Sequence, residues 1–154
     1  MNILAIDPGN EYSGYVVMDS TTYKPIKFGK EQNGYVRTLI REKENIIDLM
    51  VVEMVASYGM PVGKEIFETC TWIGAFEALA KCPHTRIYRK DVKLNLCGTT
   101  QAKDSNIIQA LKDRFGDKGT KKNPGWFYGF KADIWQAYAL GATLLDGKEW
   151  LKKW

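Results

Sequence analysis

Three carboxylates stand where apolar segments of the chain begin, end or are interrupted, and these are the residues from which chemistry is expected. Asp7 ends the apolar run NILAID, Glu53 interrupts LMVVEMV, and Asp133 precedes a long apolar stretch in KADIWQAYALGAT. A buried carboxylate is costly unless it is paired, protonated or bound to a cation. Because clustered carboxylates repel one another, convergence of the three on one point predicts a site for divalent cations.

Each carboxylate also has a purely structural explanation. The Asp-Pro-Gly sequence at 7–9 is ordinary turn chemistry. Glu53 would point to solvent at a sheet edge, although Val51 and Val55 share its face under strand alternation. Asp133 would suit the positive end of the last helix dipole. For each carboxylate taken singly, the structural explanation and the metal-site hypothesis both stay open. The three carboxylates taken together, in this order, favour the metal site.

The charge distribution indicates an anionic partner. Residues 81–131 contain twelve Lys and Arg residues against four Asp residues, within a chain whose formal net charge is +4. A basic segment of this kind attracts the phosphate backbone of a nucleic acid, and a solvated surface is the alternative. Two Mg²⁺ ions about 4 Å apart are a common means of hydrolysing a phosphodiester, so the carboxylates and the charge point to the same chemistry.

Composition excludes several other classes of protein. The 154 residues fit one domain, 1–154, with no repeat and no obvious linker. The sequence contains no run of about 18 apolar residues, so no membrane span is predicted. No signal peptide is recognised before the first strand, and a cytoplasmic location is therefore expected. Three separated cysteines and a single histidine support neither a zinc site nor a disulfide framework.

Hydrophobic periodicity predicts the elements that must position the carboxylates. The first three strands are joined by short turns and predict an antiparallel meander, and strand–helix alternation follows. The pattern predicts an α/β fold, with strands over 2–7, 12–19, 24–31, 48–55 and 85–89, and helices over 35–44, 64–81, 90–96, 103–115 and 131–145. A basic, aromatic loop is expected at 116–130, and a short Trp-bearing tail beyond Gly147.

Three motifs carry a family resemblance that spans the chain. In their order and spacing, LAIDPGNEYSGYVVM, VVEMVASYGMPVG and KADIWQAYALGAT resemble the RuvC family of Holliday-junction resolvases, within the ribonuclease H-like superfamily. The resemblance implies a mixed five-stranded sheet of three antiparallel strands followed by parallel strands, flanked by helices. It also implies a homodimeric, Mg²⁺-dependent endonuclease that nicks paired strands of a four-way DNA junction in recombination and repair. Two ions per site are implied, with Mn²⁺ able to substitute.

The resemblance assigns functions to particular residues. Asp7, Glu53 and Asp133 would be the metal ligands and catalytic residues. The helix over 64–81 would be the dimer helix, and GTTQAKD and KGTKKNP would contact the junction. Candidate nucleic-acid contacts are Lys103, Lys121 and Lys122 within these two segments, and Tyr58, for which packing of its own loop is an equal alternative.

The chain departs from the family pattern at two positions. Gln136 stands where a second acid usually follows the first by three residues, one helical turn along the same face. Its amide oxygen is a weaker metal ligand than a carboxylate, so the sequence leaves open whether Gln136 serves as a fourth ligand. Ala56 stands where an aromatic residue often wedges bases apart, with Tyr58 and Met60 nearby. The short chain and these departures are compatible with a phage-type member.

Other functions stay open from the sequence alone. A ribonuclease H-like nuclease acting on other branched DNA or structured RNA would carry the same carboxylates. A non-catalytic junction-binding protein would explain Gln136 as eroded metal binding. The stretch DPGNEYSG is also similar to the phosphate loop of actin-like ATPases, but those proteins need two such domains and a longer chain. Recombination or packaging machinery is the expected larger partner.

Overall fold

The first apolar run of the chain forms the central strand of a five-stranded sheet. A computed structural model describes residues 1–42 and 46–147. The strands lie in the order β3-β2-β1-β4-β5. Their bounds are Asn2–Asp7 (β1), Tyr12–Asp19 (β2), Pro25–Gln32 (β3), Leu49–Met54 (β4) and His84–Tyr88 (β5). Strands β1, β2 and β3 pair antiparallel, and β4 and β5 add in parallel, so the predicted mixed sheet is confirmed.

Five helices accompany the sheet within the described residues. They are Asn33–Arg41 (α1), Lys64–Leu79 (α2), Arg89–Cys97 (α3), Asp104–Phe115 (α4) and Ile134–Asp146 (α5). The last helix begins three residues later than predicted, because Ala132 adopts a left-handed φ of 47° that a regular helix cannot include. The predicted end of the first helix at 43–44 and the tail beyond Gly147 lie outside the described residues.

Strand alternation gives the sheet two buried faces with different partners. On β1, Ile3 and Ala5 face the cluster that contains α5, whereas Leu4 and Ile6 face the cluster of α1 and α2 residues. Helix α5 is apolar around nearly its whole circumference, and it is buried against β1 and β2. Gly141 permits this close approach, since a Cβ there would overlap Met18 Sδ.

Alternation also decides which face carries the acidic residues. Asp7 continues the series of Ile3 and Ala5, and Glu53 continues that of Leu49 and Val51. Both carboxylates are therefore directed to the α5 face of the sheet. Within residues 1–42 and 46–147, no helix is both long and apolar enough to cross a bilayer.

Candidate active site

One row of residues across the sheet places charged side chains beside each other. Asp7 pairs with Gly14 on β2, and Gly14 pairs with Lys30 on β3. On the other side, the parallel register of β1 and β4 predicts Glu53 as the next neighbour of Asp7. The row thus runs Lys30, Gly14, Asp7, Glu53, at the carboxyl ends of the parallel strands.

Asp133 reaches this row from the start of α5. Ala132, with its left-handed φ of 47°, turns the chain directly before it, and Asp133 is the N-cap of the helix. Its backbone packs on Gly14, where a Cβ would lie 2.7 Å from the Asp133 carbonyl oxygen and 2.9 Å from the Asp133 Cβ. Only glycine at position 14 leaves room for this contact.

The three carboxylates interact electrostatically. Burial raises the pKa of Asp7 well above its usual range, and the carboxylate of Glu53 adds to this through its charge and a hydrogen bond. The charge of Asp133 raises it further, whereas that of Arg89 acts in the opposite direction. The structure therefore brings Asp7, Glu53 and Asp133 together around the end of the central strand.

Two cations neutralise the outer carboxylates. Lys30 Nζ lies 2.7 Å from Asp133 Oδ2. Arg89 Nη1 lies 3.3 Å from Glu53 Oε1, and its Nη2 pairs with Asp104. Sequence reasoning did not identify either cation as a site residue. The requirement that a buried carboxylate be paired was the available signal, but it did not tell which cation would be the partner.

The donor set can be compared with the needs of a divalent cation. Within the described parts of the chain, no three His, Cys, Asp or Glu side chains are arranged as a metal-binding group. Glu53 and Asp133 are instead paired with Arg89 and Lys30. However, Gln136 Oε1 is buried and accepts no hydrogen bond from any described residue, one helical turn after Asp133. Carboxylate and amide oxygens are the ligands that hard cations prefer, so the chemistry of these residues fits Mg²⁺.

A buried polar network fixes the turn that follows Asp7. Ser13 Oγ donates to Asn33 Oδ1 at 2.6 Å, and Asn33 Nδ2 donates to the Gly9 carbonyl at 2.9 Å. The Gly9 N–H donates in turn to Ser13 Oγ at 3.2 Å. In the structure, Asn33 ties the turn at 7–9 to the start of α1.

A basic groove lies next to Glu53. It has a volume of about 360 Å³ and is lined by Tyr58, Arg89, Lys90, Lys93, Thr100 and Gln101. Tyr58 has a left-handed φ of 49°, and 63% of the residue is exposed. The predicted contact residue Tyr58 therefore shares a groove with Arg89, the cation that is paired with Glu53.

The other predicted contacts lie on separate exposed segments. Lys103 is exposed and immediately precedes α4. Lys121 and Lys122 form the tip of a tight turn, closed by the Thr120 N–H donating to the Asn123 carbonyl at 3.0 Å. Aromatic packing anchors the base of this loop; the residues involved are Phe115, Trp126, Phe127, Phe130, Trp135 and Tyr138. The two lysines are thereby held away from the core.

Comparisons with known proteins identify the fold. No family model matches the sequence, and no curated protein matches it. Two solved structures of RuvC from Thermus thermophilus match in three dimensions. One is a structure of RuvC, with a TM-score of 0.70 and 15% identity, covering 93% of this chain and 92% of that one. The other is RuvC in complex with Holliday junction substrate, with a TM-score of 0.72, 16% identity and the same coverage. The chain therefore has the α/β fold of RuvC.

Proposed function

We propose that the protein is a metal-dependent, structure-specific endonuclease that resolves four-way DNA junctions. The observation that carries the proposal is the convergence of Asp7, Glu53 and Asp133 at the end of the central strand. The fold supports it, because one of the solved structures that share this fold holds a Holliday junction substrate. Fold alone does not define function, so the carboxylate site is the main support.

In this proposal the carboxylates hold two Mg²⁺ ions, for which Mn²⁺ can substitute. When bound, the ions activate a water molecule and stabilise the leaving oxygen of the phosphodiester. Asp7 would be the shared central ligand, because it is partly buried and interacts with both other acids. Glu53 and Asp133 complete the site from β4 and α5, and Gln136 offers a neutral oxygen. When no metal ion is bound, Lys30 and Arg89 neutralise Asp133 and Glu53 and so reduce the repulsion among the three acids.

Paired nicking of a symmetrical junction requires two active sites, so we propose a homodimer. Helix α2 and the loop before it expose apolar side chains that a second copy would cover, namely Met60, Val62, Ile66 and Phe67. Lys103, Lys121 and Lys122 would bind phosphates of the branched DNA, and Tyr58 would contact a base. We place the protein in the cytoplasm, with recombination or packaging machinery as its wider context.

Side-by-side cleavage of four substrates tests the proposal: a four-way junction, a flap, a linear duplex and an RNA–DNA hybrid. We expect Mg²⁺-dependent, symmetrically paired nicks in the junction alone. Nicks without symmetry in the flap or hybrid would replace the proposal with a more general ribonuclease H-like nuclease. Tight junction binding without cleavage under Mg²⁺ or Mn²⁺ would replace it with a non-catalytic junction-binding protein.

A further inference from the structure

Arg89 belongs to the acidic site and to the basic groove at the same time. It is the first residue of α3, directly after the edge strand β5. One end of its guanidinium group pairs with Glu53 and the other with Asp104. The same side chain lines the groove with Tyr58, Lys90 and Lys93. Arg89 is therefore the residue through which the groove and the carboxylates contact each other.

The two partners of Arg89 differ in how firmly they can hold it. The side chain of Glu53 is 14% exposed, whereas that of Asp104 is 65% exposed. An ion pair with an exposed carboxylate contributes little, so the Asp104 contact is easily exchanged. A guanidinium group presents a planar set of donors that matches a phosphate as well as a carboxylate. An anion in the groove can thus compete for Arg89.

The groove fits a nucleic-acid strand as the source of that anion. Lys90 and Lys93 supply further positive charge for phosphates, and Tyr58 offers an exposed ring on which a base can stack. No acidic residue lines the groove among the residues that the structure describes. A phosphodiester strand satisfies both the charge and the aromatic surface.

We propose that Arg89 is an exchangeable counter-ion that couples strand binding to metal binding. In the free protein it neutralises Glu53. When a strand occupies the groove, a phosphate replaces the exposed Asp104 as a partner of the guanidinium group and draws it away from Glu53, which then becomes available to the metal ions beside Asp7. This inference rests on the proposed nuclease function and adds to it a positioning residue whose effect passes through Glu53.

The proposal predicts changes of opposite sign when the charge of Arg89 is removed. In Arg89→Gln, the affinity for a strand falls because a phosphate contact is lost. The affinity for a metal ion in the absence of DNA rises because Glu53 no longer has a competing cation. A variant that is merely destabilised would lose both affinities. Arg86→Gln is the matched control, since Arg86 lies on β5, three residues before Arg89, and makes a two-point ion pair with Glu77 of α2, outside the groove.

The experiment uses the full chain and measures binding rather than cleavage. Strand affinity is measured with a short single-stranded DNA in EDTA, and metal affinity by Mn²⁺ titration without DNA. We expect Arg89→Gln to weaken strand binding and to tighten Mn²⁺ binding, each by roughly fivefold or more, the lower end of coupling between linked sites. Arg86→Gln is expected to change neither.

Any other pattern overturns the proposal. If Arg89→Gln leaves Mn²⁺ affinity unchanged or lowers it, Arg89 is not a counter-ion that competes with the metal. The same holds if strand affinity in EDTA is unchanged, or if the unsubstituted protein binds no Mn²⁺. A protein that shows the expected binding pattern but cuts no substrate would overturn the nuclease function and leave the coupling intact.

Discussion

Gly14 and Asp133 are in backbone contact, and a methyl group on Gly14 would lie 2.7 Å from the Asp133 carbonyl oxygen. Gly14 is also the antiparallel partner of Asp7. This one glycine therefore brings the start of α5 onto the end of the central strand. The contact places Asp133 on the same side of the sheet as Asp7 and Glu53.

Replacement of Gly14 by alanine is expected to displace Asp133 from the row. The added methyl group must push the α5 backbone away, which we expect to cost about 1–3 kcal/mol of unfolding free energy. The displacement of Asp133 is expected to lower junction cleavage by roughly 100-fold. Thermal unfolding and a cleavage assay measure the two effects. Gly34→Ala is the control, since a Cβ there meets no atom within 4 Å. Full cleavage by Gly14→Ala would contradict the importance of the contact.

Asn33 is expected to hold the turn after Asp7 in place. Asn33→Ala leaves the buried Ser13 hydroxyl and the Gly9 carbonyl without their partner, at a cost of about 1–3 kcal/mol. Because Asp7 directly precedes this turn, cleavage should fall as well. The double variant with Ser13→Ala should be less destabilised than the sum of the two single variants. Strict additivity of the unfolding free energies would argue against the network.

Much of the fold and part of the site could be predicted from the sequence. Continuous apolar runs gave the interior strands β1 and β4, and short turns gave the antiparallel meander. Alternation within each strand groups Asp7 with Ile3 and Ala5, and Glu53 with Val51, since residues two apart share a face. These features depend on local patterns, which is why they could be read without coordinates.

The remaining features of the site depend on long-range pairing. Lys30 becomes the partner of Asp133 only through the β2–β3 register and the approach of α5. Arg89 meets Glu53 because β5 ends beside β4, a relationship that no local pattern encodes. The left-handed turn at Ala132, which delays the start of the last helix to Ile134, directly precedes the long-range contact of Asp133 with Gly14.

The lysines at the tip of the 116–130 loop are expected to bind phosphates, and their replacement is not expected to change the free energy of unfolding. The double substitution Lys121→Ala and Lys122→Ala should weaken junction binding. It should also make the slope of log affinity against log salt concentration shallower by about 0.9 for each lost phosphate contact. Binding measured across a series of salt concentrations tests this. Lys81→Ala, on a cavity wall with Leu4 and Met50, should bind normally. An unchanged salt slope in the double variant would exclude the loop from the interface.

Asp146 is expected to make the stability depend on acid pH. Burial raises its pKa, but hydrogen bonds from Arg114, Asn95 and Tyr23 outweigh this and hold the pKa below its usual value. A lowered folded-state pKa means that the stabilisation is present above the unfolded value of about 3.9 and is lost as pH falls through the folded value. Asp146→Asn should therefore lose about 1–3 kcal/mol at neutral pH.

The pH profile distinguishes this interpretation from a simple packing defect. The difference in unfolding free energy between the unsubstituted protein and Asp146→Asn should shrink below about pH 4. Denaturant unfolding at several pH values measures it. Asp113→Asn, at an exposed position, should follow the unsubstituted protein throughout. A difference that stays constant with pH would show that the charge of Asp146 is not involved.

The central claim is that Asp7 is a metal ligand in a nuclease, and one substitution tests it most directly. Asp7→Asn keeps the size of the side chain and removes the charge that a divalent cation requires. We expect Mg²⁺-dependent cleavage of a synthetic four-way junction to be abolished while binding of the same junction in EDTA is retained, with Asp113→Asn cutting normally. Normal cleavage by Asp7→Asn would contradict the assignment of this carboxylate and, with it, the proposed active site.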